Sequence, residues 1–194
     1  MDAEGMAGLR RELLADLEGH VVEVGAGNGR NFAHYPLTVT GVDAVEPEPL
    51  LRELATRAAA AARVPVTVHA GVAEHLPLPD DSADAVVLCL VMCSLPDLPA
   101  ALAEVRRVLR PGGTLHFLEH TIADTPGLRT VQRVLDATIW PRLGGGCHTT
   151  TDPVAAIIQA GFTTTVLHRR RFPDTRFTQP TTPHVLGRAH HQTS

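Results

Sequence analysis

The chain has 194 residues, 44% hydrophobic and 20% charged, which fits a folded protein with one continuous core and excludes a disordered, collagen-like or coiled-coil chain. All 17 cationic side chains are arginine, and the absence of lysine removes the Walker A loop, the pyridoxal Schiff base and the strand lysine of protein kinases. The net charge of -4 is uneven, with 15 acids and 6 arginines from Met1 to Asp97 against 6 acids and 11 arginines from Leu98 to Ser194, so the first half suits a cationic ligand and the second an anionic one.

In chain order, strand and helix signals alternate. Apolar positions at helical spacing (Leu9, Leu13, Leu14, Leu17) predict a lead-in helix over Gly8 to Leu17. His20 to Val24 reads as a strand that stops at Gly25, Asn31 to His34 as a short helix, and Leu37 to Val45 as a second strand. Glu48 to Ala62, rich in Ala, Leu and Arg, predicts a helix ended by Pro65. Val66 to His69 is a third strand, and Ala83 to Val91 is a continuous apolar run of the kind parallel strands show when both faces are covered. Pro99 to Leu109 predicts an amphipathic helix stopped by Arg110-Pro111-Gly112-Gly113, before a fifth strand over Thr114 to Glu119. Leu128 to Ile139 reads as a helix and Gly144-Gly145-Gly146 as a loop. Asp152-Pro153 reads as an N-cap with proline in the first turn of a helix ending at Gly161, and Thr163 to Arg171 and His184 to Ala189 close the chain as two strands. The pattern predicts one α/β domain over residues 1–194, a doubly wound, mostly parallel seven-stranded sheet with a C-terminal antiparallel hairpin.

The strongest local signal is a strand running into glycines, Glu23-Val24-Gly25-Ala26-Gly27-Asn28-Gly29-Arg30. The dinucleotide fingerprint requires G-x-G-x-x-G or a final alanine, but Arg30 holds that last position and the third glycine comes one residue early. A carboxylate at Glu23 would repel a diphosphate, whereas it can pair with an ammonium group. This run resembles motif I of the class I S-adenosylmethionine-dependent methyltransferases, which implies a Rossmann-like fold and S-adenosyl-L-methionine as cofactor. The resemblance continues through Ala44-Val45-Glu46-Pro47, where Glu46 is preferred over Asp43 as the ribose acid, and through Gly71-Val72-Ala73-Glu74-His75-Leu76-Pro77 at the adenine. There Val72 replaces the usual Asp, leaving the Ala73 backbone N–H and the Val72 and Leu76 side chains to hold the ring. Asp80 to Val87 and Arg107 to Gly113 complete the ordered set. The cofactor residues implied are Glu23, Gly25, Ala26, Gly27, Gly29, Asn31, Glu46, Pro47, Val72, Ala73 and Leu90.

The second half, through Leu90 to Leu95, Phe117-Leu118-Glu119-His120, Gln132 to Asp136 with Trp140, Gly146 to Thr150 and Pro183 to Gly187, is similar to the methyltransferase-like seven proteins, a group of alkyl-thiol methyltransferases. The resemblance implies transfer to a small molecule, with a thiol as the favoured acceptor. Those relatives carry an apolar N-terminal anchor, while this chain opens on the acidic Met1-Asp2-Ala3-Glu4 with no signal peptide and no membrane-length stretch. A thiol needs only partial ionisation to attack an activated methyl, while a phenol or alcohol more often needs a base. His120, His148 and Glu119 are the candidates for base or polar orienter. Cys93, Asp136, Trp140, Cys147 and His184 are the candidates to line the acceptor site. No metal is expected, since Cys147, His148 and His120 lack paired ligand spacing.

Cys89, Cys93 and Cys147 contain no CxxC pair, which points to a reducing, cytoplasmic compartment, and the 4% aromatic content argues against nucleic acid as a partner. Arg169 to Arg171 read as a solvated strand face, although with Arg176 they could meet an acidic group on the acceptor. Three rivals remain: an O-, N- or C-methyltransferase of a small molecule or lipid, a non-methylating protein on this fold, and a nicotinamide oxidoreductase. Arg30 and the missing lysine weigh against the last.

Overall fold

The computed structural model describes residues 4–140, 146–172 and 179–191. Seven strands, β1 (Gly19–Val24), β2 (Val39–Val45), β3 (Val66–His69), β4 (Ala83–Cys89), β5 (Leu109–His120), β6 (Phe162–Arg171) and β7 (Pro183–His191), form one sheet in the order β3-β2-β1-β4-β5-β7-β6. The first five pair in parallel, and β7 runs antiparallel to both β5 and β6. This is the doubly wound sheet with a closing hairpin that the alternating pattern predicts.

The helices are α1 (Glu4–Leu14), α2 (Pro49–Ala59), α3 (Leu98–Val108), α4 (Pro126–Asp136) and α5 (Pro153–Gln159). Three start in the same way. The carboxylates of Glu48, Asp97 and Asp152 accept the N–H groups of Leu51, Ala100 and Ala155, and a proline occupies each first turn, where its missing N–H costs nothing. Alternation along the strands then divides the core. Leu13 and Leu14 of α1 and Ala55 of α2 cover one face through Val21, Val42, Ala44 and Val87. Leu102, Val105 and Val108 of α3 and Ile157 of α5 cover the other through Val22, Val86, Leu88 and Phe117.

Several boundaries differ from the sequence expectation. The lead-in helix begins at Glu4, and the fourth strand stops at Cys89 because Leu90 turns into positive φ (59°). Arg110-Pro111-Gly112-Gly113 does not form a loop between helix and strand. The chain passes from α3 directly into β5, which pairs Leu109 with Ala83 and absorbs the glycines in a register shift between Ala83 and Ala85. Arg110 fixes this start on Asp84 at 2.6 Å. The fourth helix begins at Pro126 and ends at Asp136, earlier at both ends than its apolar spacing suggests. Gly144, Gly145 and Arg176 lie outside the described residues.

Candidate active site

The sheet order reverses between β1 and β4, so a crevice opens beyond the carboxyl ends of the central strands. A cavity of about 620 Å³ lies there, walled by Gly25 and Gly27 after β1, Glu46 and Pro47 after β2, Gly71, Val72 and Ala73 after β3, and Leu90, Val91 and Ser94 after β4. At Gly25, φ is +70° and a Cβ would sit 2.3 Å from the Val91 side chain, so only glycine fits. At Gly27, φ is +57° and a Cβ would meet nothing within 4 Å, which leaves bare backbone facing open space. Glu46 spans the turn: one carboxylate oxygen accepts the Gly27 N–H at 2.8 Å, the other the Glu48 N–H at 3.0 Å. A carboxylate has about four acceptor sites, so two remain for a pair of hydroxyls.

Behind the loop, Glu23 is buried and its oxygens accept the Tyr35 hydroxyl at 2.6 Å and the Asn31 amide at 2.9 Å. Asn31 in turn accepts from Arg10 of α1 at 2.6 Å. Desolvation outweighs these bonds and pushes the Glu23 carboxyl up to about 7. Asp43 sits inside β2 between His20 and His69, each 2.7 Å from one of its oxygens, and so is a local bonding group rather than a rim acid.

A second cluster forms beyond β5 and β7. Glu119, fully buried, accepts the Val91 and Met92 N–H groups at 2.9 and 3.2 Å with one oxygen, while the other has no partner among the described residues. Desolvation pushes it, too, up to about 7. Cys147 Sγ lies 3.8 Å from His120 Nδ1, and the Cys93 sulfur lies within 4.8 Å of both. The Cys93 thiol beside it, and then His120, hold the Cys147 thiol below the usual range, and the same contact pushes Cys93 up. The His184 ring meets His120 edge-on at 4.5 Å between centroids. Its Nδ1 bonds the Thr182 carbonyl at 3.0 Å, so that nitrogen carries the proton and buried Nε2 is a bare acceptor with no partner among the described residues. Burial holds His184 neutral, down to about 4. Asp136 fastens the loop: its oxygens accept the N–H and hydroxyl of both Thr149 and Thr150 at 2.7–2.9 Å, and these bonds outweigh desolvation to keep its carboxyl low. The His148 N–H ties the same loop to the Cys93 carbonyl at 2.8 Å.

Residues 22–117 match the methyltransferase domain family. The chain is 36% identical to thiol S-methyltransferase TMT1B of Rattus norvegicus, across 95% of this chain and 79% of that protein. It is 33% identical to thiol S-methyltransferase TMT1A of Homo sapiens, across 96% and 80% respectively. The chain belongs to the S-adenosylmethionine-dependent methyltransferases. The fold agrees: the YcgJ protein of Bacillus subtilis superposes with a TM-score of 0.75 at 17% identity, covering 99% of this chain and all of that one.

In this methyltransferase, seven of the residues expected at the cofactor (Gly25, Gly27, Glu46, Pro47, Val72, Ala73 and Leu90) wall the crevice. Glu23, Ala26, Gly29 and Asn31 do not. The polar atoms of Glu23 and Asn31 are turned to Tyr35, Arg10 and one another, Ala26 is buried in the α1/α2 face, and Gly29 packs on Phe32 and Ala58. Leu76, expected over the adenine, is buried in the core under α3. Of the residues expected on the acceptor side, the structure gathers Cys93, Glu119, His120, Cys147 and His184. Asp136 is held by threonines, and the exposed His148 contributes backbone rather than ring to the contacts. Sequence reasoning missed Val91, Ser94 and Leu95 as walls of the crevice, and Gln132, buried and bonded to Ala123, Thr121 and Pro180, as the anchor of α4. The apolar run ending at Val91 marks Val91 as strand, and only the turn at Leu90 brings it to the crevice.

Proposed function

We propose that this methyltransferase S-methylates a small thiol, working as a single domain in a reducing cytoplasm. The observation that carries the reading is the similarity to thiol S-methyltransferases along nearly the whole chain, the acceptor-side half included. Three free cysteines and no helix long and apolar enough to cross a membrane, among the described residues, accord with it.

S-adenosylmethionine, when bound, supplies a methyl group activated on a sulfonium. The chain's part is to bind and orient. Glu46 takes the ribose hydroxyls, the bare backbone at Gly27 admits the amino-acid tail, and Val72, Ala73 and Leu90 receive the adenine. Glu23 and Asn31 act from behind, holding the loop that presents these groups. Because the methyl carbon is already electrophilic, holding a thiol in line at contact distance with water excluded supplies most of what transfer requires. Glu119, with an unpartnered oxygen, and His120 are the groups placed to take the thiol proton.

Isothermal calorimetry with S-adenosylmethionine and S-adenosylhomocysteine tests the cofactor assignment, with micromolar binding of both expected. A panel of alkyl and aryl thiols, phenols, amines and carboxylates tests the acceptor. Methyl transfer confined to thiols is expected, and transfer to oxygen or nitrogen alone would overturn the acceptor reading while leaving the fold and cofactor intact.

A further inference from the structure

Cys93, His120 and Cys147 come from three distant segments: the turn after β4, the end of β5 and the loop after α4. One donor atom from each lies within 4.8 Å of the other two. Ligands at zinc distances of about 2.3 Å for sulfur and about 2.05 Å for nitrogen stand about 3.6 Å apart in a tetrahedron. The Cys147 Sγ to His120 Nδ1 separation of 3.8 Å already approaches that edge. Two soft thiolates and one imidazole are a donor set that suits zinc, and two thiolates balance its charge, so the filled site is neutral at a depth where both cysteines are buried. The loop is braced independently of any ion, by Asp136 on Thr149 and Thr150 and by the His148 N–H on the Cys93 carbonyl. A bound metal would therefore find its ligands preorganised, with outer contacts of the kind that orient ligands in metal sites.

We infer that Cys93, His120 and Cys147 form a zinc site with one open coordination position, and that this position takes the sulfur of the acceptor. Three protein ligands and a vacant fourth place are the mark of a catalytic rather than a structural zinc. The role in transfer rests on the thiol reading above; the metal site itself does not. On loading, both cysteines bind as thiolates, with any remaining thiol proton going to solvent, and water fills the fourth position. The acceptor thiol displaces that water and gives its proton to Glu119, since His120 is then a ligand and not the base. Its sulfur then donates an electron pair to the methyl carbon of S-adenosylmethionine, the carbon–sulfonium bond breaks with its pair remaining on the donor sulfur, and S-adenosylhomocysteine and a methyl thioether result. The thioether, uncharged and a weaker ligand, departs. Ser94, next to Cys93, walls the cofactor crevice, so the site adjoins the place where the methyl donor is held.

Protein purified without chelators or affinity metals should carry one zinc per chain by inductively coupled plasma mass spectrometry and keep it through dialysis. Cobalt(II) put in its place should show thiolate charge-transfer and tetrahedral d–d absorption that shifts when a small alkyl thiol is added. The Cys93→Ser/Cys147→Ser double variant should lose metal and absorption while still binding S-adenosylmethionine by calorimetry, which shows that it folds; Cys89→Ser should keep both. Wild-type protein that binds zinc no better than the double variant overturns the site. Cobalt absorption indifferent to added thiol overturns the open position. Metal-free wild type should methylate thiols roughly tenfold more slowly, since a free thiol is only a few per cent ionised near pH 7. Undiminished transfer without metal overturns the zinc role but leaves the thiol reading standing, whereas a zinc-loaded enzyme that methylates no thiol overturns the thiol reading and leaves the metal site.

Discussion

The crevice beyond β1 and β2 and the side-chain cluster beyond β5 and β7 are built from similar materials, buried carboxylates at strand ends beneath short loops, but they differ in how completely those groups are satisfied. Around the glycine loop both oxygens of Glu46 and both of Glu23 are hydrogen-bonded within the chain. Around the thiols, one oxygen of Glu119 and Nε2 of His184 are buried with no partner among the described residues. Leaving a polar group unpaired typically costs about 1–3 kcal/mol. The glycine-loop end is therefore preorganised, and the thiol end keeps hydrogen-bonding capacity that an incoming group can meet. A cofactor common to a whole family suits the first arrangement, and a variable acceptor suits the second.

The strongest way to break the comparison is at Glu46. Glu46→Ala removes the acceptor for two ribose hydroxyls and leaves the Gly27 and Glu48 N–H groups unpaired. Charge-assisted hydrogen bonds of this kind contribute about 1.5–3 kcal/mol each, so the affinity for S-adenosylmethionine should fall by at least roughly a hundredfold, as read by calorimetry. Unchanged affinity would mean that the ribose is held elsewhere. Asp43→Ala, by contrast, should leave the affinity within a few-fold, because Asp43 serves His20 and His69 inside the sheet.

The two buried carboxylates sharpen the same contrast through pH. Glu23 and Glu119 both titrate near 7 in the folded chain against an ordinary value of 4.5, so each is raised above its unfolded value. Such a group contributes stability that is fully present below about pH 4.5 and lost as pH rises through 7. A shift of this size corresponds to about 3 kcal/mol per group. Urea unfolding between pH 5 and 8 should therefore show stability falling with pH on these groups' account. Glu23→Gln and Glu119→Gln should each flatten the slope, and the double variant should flatten it most. An unchanged slope in either single variant would mean that its carboxylate is not the titrating group.

Much of this contrast was legible in the sequence, for unequal physical reasons. The crevice was readable because its parts are local: a strand, a glycine run and an acid at the next strand end fix geometry over a few residues each. Glu23 and Asn31 show the limit of that reading, since a residue beside a binding loop can face the ligand or support the loop from behind, and only burial against Tyr35 and Arg10 decides. The Arg110 to Gly113 segment was misread because proline and two glycines signal a loop, while the register shift opposite Ala83 accommodates them at the start of β5, before its pairing with β7 begins at Thr114. The acceptor pocket was the least legible. Cys93, His120 and Cys147 are separated by 27 residues at each step, so no spacing rule relates them, and their meeting depends on β5 and on the anchoring of the loop to α4.

That anchoring gives the next test. Asp136→Ala removes four hydrogen bonds to Thr149 and Thr150, at about 0.5–1.5 kcal/mol net apiece. Stability should fall by about 2 kcal/mol and the acceptor KM should rise, while the affinity for S-adenosylmethionine stays within a few-fold. Loss of cofactor binding in this variant would show that the two ends are not separable. Asp136→Asn, which can still accept through its carbonyl oxygen, should recover part of both losses.

The smallest effect is expected at the arginine run on β6. Arg169 pairs with Asp124 at 2.9 Å and Arg170 pairs with Glu12, so the charges that could have awaited an acidic acceptor are already engaged. Arg169 and Asp124 are both mostly exposed, and pairs of that kind contribute about 0–1 kcal/mol. Arg169→Ala should change the unfolding free energy by no more than about 0.5 kcal/mol and leave the KM for neutral thiols unchanged. The informative measurement is the ratio of kcat/KM for a thiol carrying a carboxylate to that for its neutral isostere. If β6 is a solvated face the ratio is the same in wild type and variant at low and high salt. A ratio that falls several-fold in the variant, and falls in wild type as salt is added, would move Arg169 into the acceptor site and extend the unsatisfied end of the molecule from the thiols to the hairpin edge.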